Sequence, residues 1–448
     1  MISCEKMAST FSPYMVVAAF DFGTTYSGYA FSYRDMPTLV QTNQAWGDGN
    51  TNSMKTPTCV LLTPDQEFDS FGYDAENKYY SLAAENSHHG WLLFRRFKML
   101  LHNDENISRK TLVTDINGVA LPAVTIFTMA IRFLKDHLFK SADLFTSGFV
   151  TERDVKYVLT VPAIWTEKSK MFMREAAVEA GLSDSRLRLC SEPEAASIYW
   201  QSVTTLFARA DQPPVLKPYM VVDLGGGTAD MYVHEKLSDQ TIKELYKASG
   251  GPWGGTVVDK NYIEWLTQIV GKDTMERFKT EKMMDYFDLL KDFEAKKRTV
   301  TPESEGKIAF KFYSSLNQLF EEENGCGIAD KISVLGLTKM VSLNEREINI
   351  DASIVKSWFD EPIKNMIDHV LKILARPDME RVGSVLLVGG FGESKIVQEE
   401  MRRRIADKEL IFPNEPSMSV LKGAVRLGHL PSLVSARVIR VRSELASE

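Results

Sequence analysis

The chain has 448 residues, 44% hydrophobic and 25% charged, an ordinary globular composition whose length suggests about two to four domains or subdomains. A formal charge of -7 and an isoelectric point near 5.7 argue against nucleic acid or an anionic membrane surface as a partner. The four cysteines, Cys4, Cys59, Cys190 and Cys326, are far apart and form no Cys-x-x-Cys pair. That spacing disfavours zinc and a disulfide framework and fits reduced thiols in a cytoplasmic protein.

Residues 1–14 read as a flexible leader without the apolar core of a signal peptide, and no apolar run approaches the ~18 residues that span a bilayer. An apolar run at 15–20 enters the turn Asp21-Phe-Gly-Thr-Thr-Tyr-Ser-Gly28, and a second strand follows at 29–33. A Gly/Asn/Asp-rich loop at 47–53 and a strand at 58–62 come next, then a helix at 91–101. Pro122 suits the first turn of a helix whose apolar residues (Ile126, Met129, Ala130, Phe133, Leu134, Leu138) recur at helical spacing. A buried strand is expected at 155–161, and Thr166 with Ser169 caps a helix that Gly181 stops. Glu192-Pro193 opens another helix, and the Pro-rich stretch at 211–214 is the clearest linker.

Residues 219–234 form two short strands around Asp223-Leu-Gly-Gly-Gly-Thr-Ala-Asp230. A second glycine-rich turn at 250–255 leads into a helix to 270, and 285–298 is a charged helix. Residues 301–350 are mixed, with short strands (308–312) and loops, and read as a separate small subdomain. A long helix follows at 354–374, a strand at 385–388 closed by Gly389-Gly390, and helices at 394–404 and 419–427. Strands alternating with helices indicate α/β architecture.

One pattern in this series repeats. Val16-Val-Ala-Ala-Phe-Asp21-Phe-Gly23-Thr-Thr25 matches Tyr219-Met-Val-Val-Asp223-Leu-Gly225-Gly-Gly-Thr228 as strand, Asp-x-Gly, Thr, strand, 202 positions apart. Glycines let the backbone approach a ligand closely, and successive N–H groups in such a turn suit phosphate oxygens. Carboxylates at Asp223 and Asp230 add oxygen ligands of the kind that Mg²⁺ takes beside phosphate and water. Two such hairpins, one per lobe, would grip a nucleotide from both sides. No Gly-x-x-x-x-Gly-Lys-Ser/Thr phosphate loop and no protein-kinase motif set is present.

These residues resemble the actin-like ATPase superfamily, and within it the nucleotide-binding domain of the 70-kDa heat-shock chaperones. The two Asp-x-Gly hairpins look like that family's phosphate motifs, and Val388-Gly-Gly-Phe-Gly-Glu-Ser394 stands where its adenosine motif belongs. Thr160-Val-Pro-Ala-Ile-Trp165 and Ser191-Glu-Pro-Glu-Ala-Ala196 resemble its connecting segments, and Glu294-Ala-Lys-Lys-Arg-Thr299 its helix over the adenine pocket. Arg96-Phe-Lys-Met-Leu100, Pro252-Trp-Gly-Gly255 and Ser419-Val-Leu-Lys-Gly-Ala-Val425 look like the divergent 12A/12B branch of the family.

The resemblance implies a two-lobed fold, with duplicated ribonuclease-H-like lobes around a nucleotide cleft. Lobe I would cover 15–214 and lobe II 215–415, with a mixed small subdomain at about 240–380 and a closing helix and tail at 416–448. A peptide-binding domain is not expected. The cofactors would be ATP or ADP with Mg²⁺, and the activity a weak ATP hydrolysis that switches a protein partner or co-chaperone in a stress response. Gly23, Thr24, Thr25 and Tyr26 would hold the terminal phosphates, as would Gly225, Gly226, Gly227 and Thr228 from the other side. Gly254 and Gly255 would touch the phosphate side. Asp21 and Asp223 would hold Mg²⁺ through water. Lys98 would face the transferred phosphate, and Glu192, Asp230 and Thr228 would place the attacking water. Glu294, Lys297 and Arg298 would contact ribose and adenine, beside Gly389, Gly390 and Phe391.

Plainer readings stand beside three of these. Lys98 could lie on a solvated helix face, Glu192 could be a helix-start acid, and Arg298 could be a surface pair. The adenosine motif also departs from the family, with Phe391 where a small residue stands and Glu393 where an arginine stands. A non-catalytic binding module and, behind it, a sugar-kinase-like phosphotransferase are the alternative functions.

Overall fold

The computed structural model describes residues 12–46, 51–102, 106–141, 148–207, 217–237 and 241–436. The expected linker at 211–214, residues 47–50 of the expected loop, and most of the leader and tail lie outside the described residues. The elements that build the site are β1 (Val16–Phe22), β2 (Tyr26–Tyr33), β3 (Cys59–Leu62), β4 (Leu92–Arg95), β5 (Val155–Val161), β6 (Leu187–Ser191), β7 (Tyr219–Leu224), β8 (Ala229–Lys236), β9 (Ile242–Gly251) and β10 (Ser384–Val388). The helices that matter are α1 (Tyr73–Ala84), α2 (Glu192–Phe207), α3 (Thr256–Val270), α4 (Met283–Lys297) and α5 (Ser419–His429).

Two sheets share one topology. In the first, the order is β6-β5-β1-β2 and then Gln41–Thr42. There β1, β5 and β6 run parallel, and β2 is antiparallel to β1. In the second, Glu409–Ile411 is followed by β10-β7-β8-β9 and Val434–Ala436. There β7 and β10 are parallel, and β8 is antiparallel to both β7 and β9. Each sheet therefore carries one leading hairpin with parallel strands beside it. This is the two-lobed α/β architecture of the actin-like ATPase fold.

Strand periodicity decides where the aspartates point. Every residue of β1 is buried, so both faces are covered. Val16, Ala18, Phe20 and Phe22 pack into the core of the first lobe, while Val17 and Ala19 face a shared core between the sheets. In β7, Met220, Val222 and Leu224 enter the core of the second lobe, and Tyr219 and Val221 face the shared core. Asp21 and Asp223 have the parity of the shared face in both strands, at the strand ends. Helices α2 and α5 supply that shared core with Ala195, Ala196, Leu421 and Ala424.

Four expectations are corrected. The helix expected at 91–101 is β4, paired with β3, followed by a 3₁₀ turn at Phe97–Leu101. Leu92, Leu93 and Phe94 form a short buried run, which periodicity alone does not distinguish from a buried helix. The long helix at 354–374 is two helices, Ala352–Ser357 and Asp360–Leu374. Pro362 has no N–H to give the Trp358 carbonyl, which accepts the Asn261 side-chain amide at 2.8 Å instead. Pro122 ends a short strand, Ala120–Pro122, and the helix begins at Ala123. The mixed stretch at 301–350 contains a three-stranded sheet and two helices, Ser314–Asn324 and Ile328–Val334. Among the described residues, no helix is long and apolar enough to cross a membrane.

Candidate functional site

The two hairpin turns meet nose to nose. A Cβ on Gly226 would fall on the Thr25 hydroxyl, and one on Gly227 on Met99 and Thr24. Only glycine allows this approach. Behind the second hairpin, the N–H groups of Gly254, Gly255 and Thr256 bond the carbonyls of Gly227, Gly225 and Gly226 at 3.4, 3.2 and 2.8 Å. Behind the first, Thr58 does the same work. Its hydroxyl donates to the Gly23 carbonyl at 2.8 Å, and its N–H to the Thr25 carbonyl at 2.8 Å. These turn carbonyls are thus bonded within the protein, so they do not stand unpaired against an anion. Gly389 has φ +85° and passes so close to Asp223 and Leu224 that any side chain there would collide with them.

The hairpins floor a cleft of about 1040 Å³. It brings together Asp21, Gly23, Thr24, Thr25, Tyr26, Lys98, Glu192, Asp223, Gly225, Gly226, Gly227 and Thr228 at one end. Gly255, Glu294, Lys297, Arg298, Gly389, Gly390 and Phe391 line it further out. Asp230 and Gly254 do not line the cavity. Asp230 is 2% exposed behind Thr228, and Gly254 backs the second turn.

Four carboxylates and two ammonium groups crowd the hairpin end. Arg96, in a left-handed conformation with φ 53°, turns the chain so that Phe97 is buried and Lys98 reaches Glu192 at 2.9 Å. Lys98 is 4% exposed and sits 5.2 Å from the Trp165 ring centre, so it is not on a solvated face. Glu192, besides opening α2, carries that ion pair. Lys55 holds one Asp21 oxygen at 2.6 Å and the Thr160 hydroxyl holds the other at 2.9 Å. Burial works to raise the Asp21 pKa, but Lys55 and Lys98 outweigh it and the carboxyl lies below its usual range.

Asp223 and Asp230 have no cation within ion-pair distance among the described residues. Burial, and after it the charges of Glu192, Asp230 and Asp21, push Asp223 well above the carboxylate range. Burial and then Glu192 push Asp230 up to about 7. Thr228 donates to one Asp230 oxygen at 3.0 Å, while the other is buried and has no partner. Burial also raises Glu192, against the pull of Lys98.

The outer end is built by α3, α4 and the turn after β10. Lys297 pairs with Asp259, with Glu294 at 2.5 Å and with the Gly255 carbonyl at 3.3 Å. Arg298 pairs with Glu294 and lies 5.3 Å from the Tyr26 ring centre. It is thus both a half-exposed surface pair and part of the cleft wall. Phe391 stacks on Phe359 with ring centres 6.3 Å apart, and a Cβ at Gly255 would meet its ring at 3.4 Å. Glu393 lines the cleft and accepts the Ser417 N–H at 3.4 Å.

Sequence reasoning missed Lys55, Thr58, Arg95, Arg96 and Asp259. Lys55 and Thr58 flank Pro57 in a segment with no motif, and only its return beside β2 brings them to the first hairpin. Asp259 lies one turn into α3, just beyond the Gly254-Gly255 turn, and that position was the available signal.

As a metal site, the hairpin end is suited in charge but has no complete ligand set of its own. Among the described residues, no group of three or more His, Cys, Asp or Glu could hold a metal ion by itself. Asp223 and Asp230 have no cation beside them among the described residues and are held toward the protonated form by burial and neighbouring carboxylates, so a bound cation would favour their ionised form. The glycine turns leave room for oxygen ligands from a phosphate. Asp21 fits less well, because both its oxygens are already bonded.

Comparison with known proteins agrees with the fold. The family model described as Hsp70 protein matches residues 17–324. Human heat shock 70 kDa protein 12B is 32% identical, over 97% of this chain and 71% of that protein. Mouse heat shock 70 kDa protein 12A is 31% identical, over 95% and 71%. Chloroplastic heat shock 70 kDa protein 7 of Arabidopsis thaliana is 25% identical, over 94% of this chain and 53% of that protein. With a family model over most of its length and such relatives along nearly all of it, the chain belongs to the Hsp70 family.

Proposed function

We propose that the cleft binds ATP or ADP with Mg²⁺ and hydrolyses ATP weakly, and that nucleotide state sets how far the lobes close for a protein partner. On this reading 15–214 and 215–415 are the lobes, with 416–448 closing the shared core. The observation that carries it is the meeting of two glycine hairpins over buried carboxylates and the Lys98–Glu192 pair. Peptide N–H groups of both turns would bind phosphate oxygens. Mg²⁺, held through water by Asp223 and Asp21, would supply charge neutralisation on the phosphates.

The remaining chemistry belongs to the side chains. Lys98 places a positive charge where negative charge grows on the transferred phosphate. Thr228, which lines the cleft and donates to Asp230, would place the attacking water, with the Asp230 carboxyl behind it, near 7, suited to receive a proton through that contact. Glu192, restrained by Lys98 at 2.9 Å, would help to orient the same water. Glu294, Lys297 and Arg298 would bind ribose and base, with Gly389, Gly390 and Phe391 closing beneath.

Calorimetric titration with Mg-ATP tests this. Asp21→Ala and Asp223→Ala are each expected to weaken binding by about tenfold or more; unchanged affinity in both variants would remove the site. Phe391 and Glu393 at the base end favour a second reading, a binding module without turnover. Tight Mg-ATP binding with no phosphate release from the unmodified protein, and no further loss in Lys98→Met, would establish that reading.

A further inference from the structure

The cleft does not end at the base-side residues. Beneath the contact between α1 and α4, Tyr73, Phe287 and Leu290 line a further compartment of it. Its total of about 1040 Å³ lies at the top of the ~300–1,000 Å³ that hold drug-sized ligands, so a second small group has room beside a nucleotide.

The charge of this compartment is opposite to that of the hairpin end. Arg95, Arg96 and Lys291 line it against two carboxylates, Glu76 and Asp259. Arg95 is taken by Glu76 at 2.7 Å and covers the Phe287 ring at 5.3 Å. Arg96 reaches Asp259 at 3.1 Å, but Asp259 is shared with Lys297. The half-buried Lys291 has no carboxylate within ion-pair distance among the described residues. Its ammonium meets the Asn77 side-chain oxygen at 3.2 Å and the Tyr80 ring at 4.3 Å. Burial lowers the Lys291 pKa, Glu76 opposes the fall and Arg95 adds to it. An anion beside Lys291 would offset both the burial and the repulsion from Arg95.

We propose that this compartment is a binding site for a small amphipathic acid, a carboxylate on an aromatic body, held by Lys291 and Arg96 and packed on the partly exposed Tyr73 and Leu290. Cations over aromatic walls suit such a ligand, with the charge met at one edge and the ring stacked or edge-on. The walls come from both lobes, α1 from the first and α4 from the second, where Tyr80 stacks on Phe287 at 4.8 Å. A ligand there would tie the lobes together at the roof of the cleft.

The test uses 1-naphthoate and uncharged 1-naphthalenemethanol, titrated into the full chain by calorimetry. Naphthoate is expected to bind one to one, at least tenfold tighter than the alcohol. Lys291→Glu is expected to cost at least tenfold, and Lys291→Met, which keeps the apolar stem, most of that. Both variants should keep far-UV circular dichroism and Mg-ATP affinity within twofold of the unmodified protein. Equal affinity for acid and alcohol, unchanged naphthoate binding in Lys291→Glu, or full displacement of naphthoate by Mg-ADP would each overturn the proposal. Asp223→Ala should lose nucleotide and keep naphthoate, so this site and the nucleotide reading fail separately.

Discussion

The two hairpins share strand order, residue parity and an aspartate at the same position, yet their carboxylates live in opposite electrostatic states. Asp21 is clasped by Lys55 and Thr160 and lies low in pKa. Asp223, with no cation partner among the described residues and with Glu192, Asp230 and Asp21 around it, lies high. Backbone geometry repeats between the lobes because it follows from strand periodicity and glycine. The charge state does not repeat, because it depends on what the rest of the chain folds against each hairpin. The first hairpin is preassembled and neutralised. The second is a loaded site whose repulsion a cation or a phosphate-bound metal would relieve.

The strongest way to break the pair is to force the turns apart. Gly226→Val puts branched carbons into the space of the short, β-branched Thr25 side chain, which has little freedom to move aside. Mg-ATP affinity is expected to fall by about 10- to 100-fold, the ~1–3 kcal/mol that forcing extra carbons into a packed contact costs. Gly225→Ala is the control. Its added Cβ would meet the Thr228 carbonyl oxygen at 3.6 Å, an ordinary contact, so affinity should change by no more than about threefold, as for most unobtrusive substitutions. Equal losses in both would mean that the turns do not need to touch.

Removing each charge should separate the hairpins by sign. Asp21→Asn leaves Lys55 without its carboxylate, and breaking such a buried pair costs about 3 kcal/mol of stability. Asp223→Asn removes a carboxyl that burial and three like charges oppose, so the nucleotide-free protein should melt at a higher temperature. Thermal denaturation without nucleotide reads both. A stabilised Asp21→Asn or a destabilised Asp223→Asn would show the assigned environments to be reversed.

The sequence made one half of this contrast legible. The Asp-x-Gly repeat and the apolar runs of β1 and β7 follow from short-range pattern, the Glu294-to-Arg298 series rests on family resemblance, and both hairpins and that series line one cleft. Lys55, Thr58 and Arg95 act through contacts that no local pattern encodes. Lys55 meets Asp21 across 34 positions, by way of the segment that returns to pair with β2. Residues 91–101 misled because a three-residue apolar run is too short to show a period. Once β4 is a strand and Arg96 a left-handed turn, Lys98 arrives in the cleft from a direction that a helix would not have given. The paired helices at 352–374 turn on a single missing N–H at Pro362. Tertiary contact decided these cases, while local pattern decided the hairpins.

pH offers the smallest and most selective test of the contrast. A carboxyl whose folded pKa lies above its unfolded value stabilises the fold below the unfolded value, and this stability is lost as pH rises through the folded value. For Asp230 that runs from 3.8 up to about 7, with Asp223 and Glu192 shifted in the same direction. Asp21 behaves in reverse, because its pKa is lowered; it is ionised in both states near neutrality and contributes no slope there. His234 and His429, drawn by burial from 6.5 to about 4, lend stability above 6.5 that is lost as pH falls toward 4. His88, His102, His137 and His369 are lowered as well, chiefly by burial, and a histidine is half protonated in the unfolded chain near 6.5, so between pH 8 and 6.5 the histidines and the acids of the second hairpin pull in opposite directions. The comparison with Asp230→Asn isolates the acid. Free of nucleotide, the unmodified protein should gain about 1–2 °C in melting temperature relative to that variant as pH drops across the window, and Asp21→Asn should show the same gain. A difference from Asp230→Asn that stays constant between pH 8 and 6.5 would mean that Asp230 stays ionised without a ligand, and that the two hairpins are electrostatically alike.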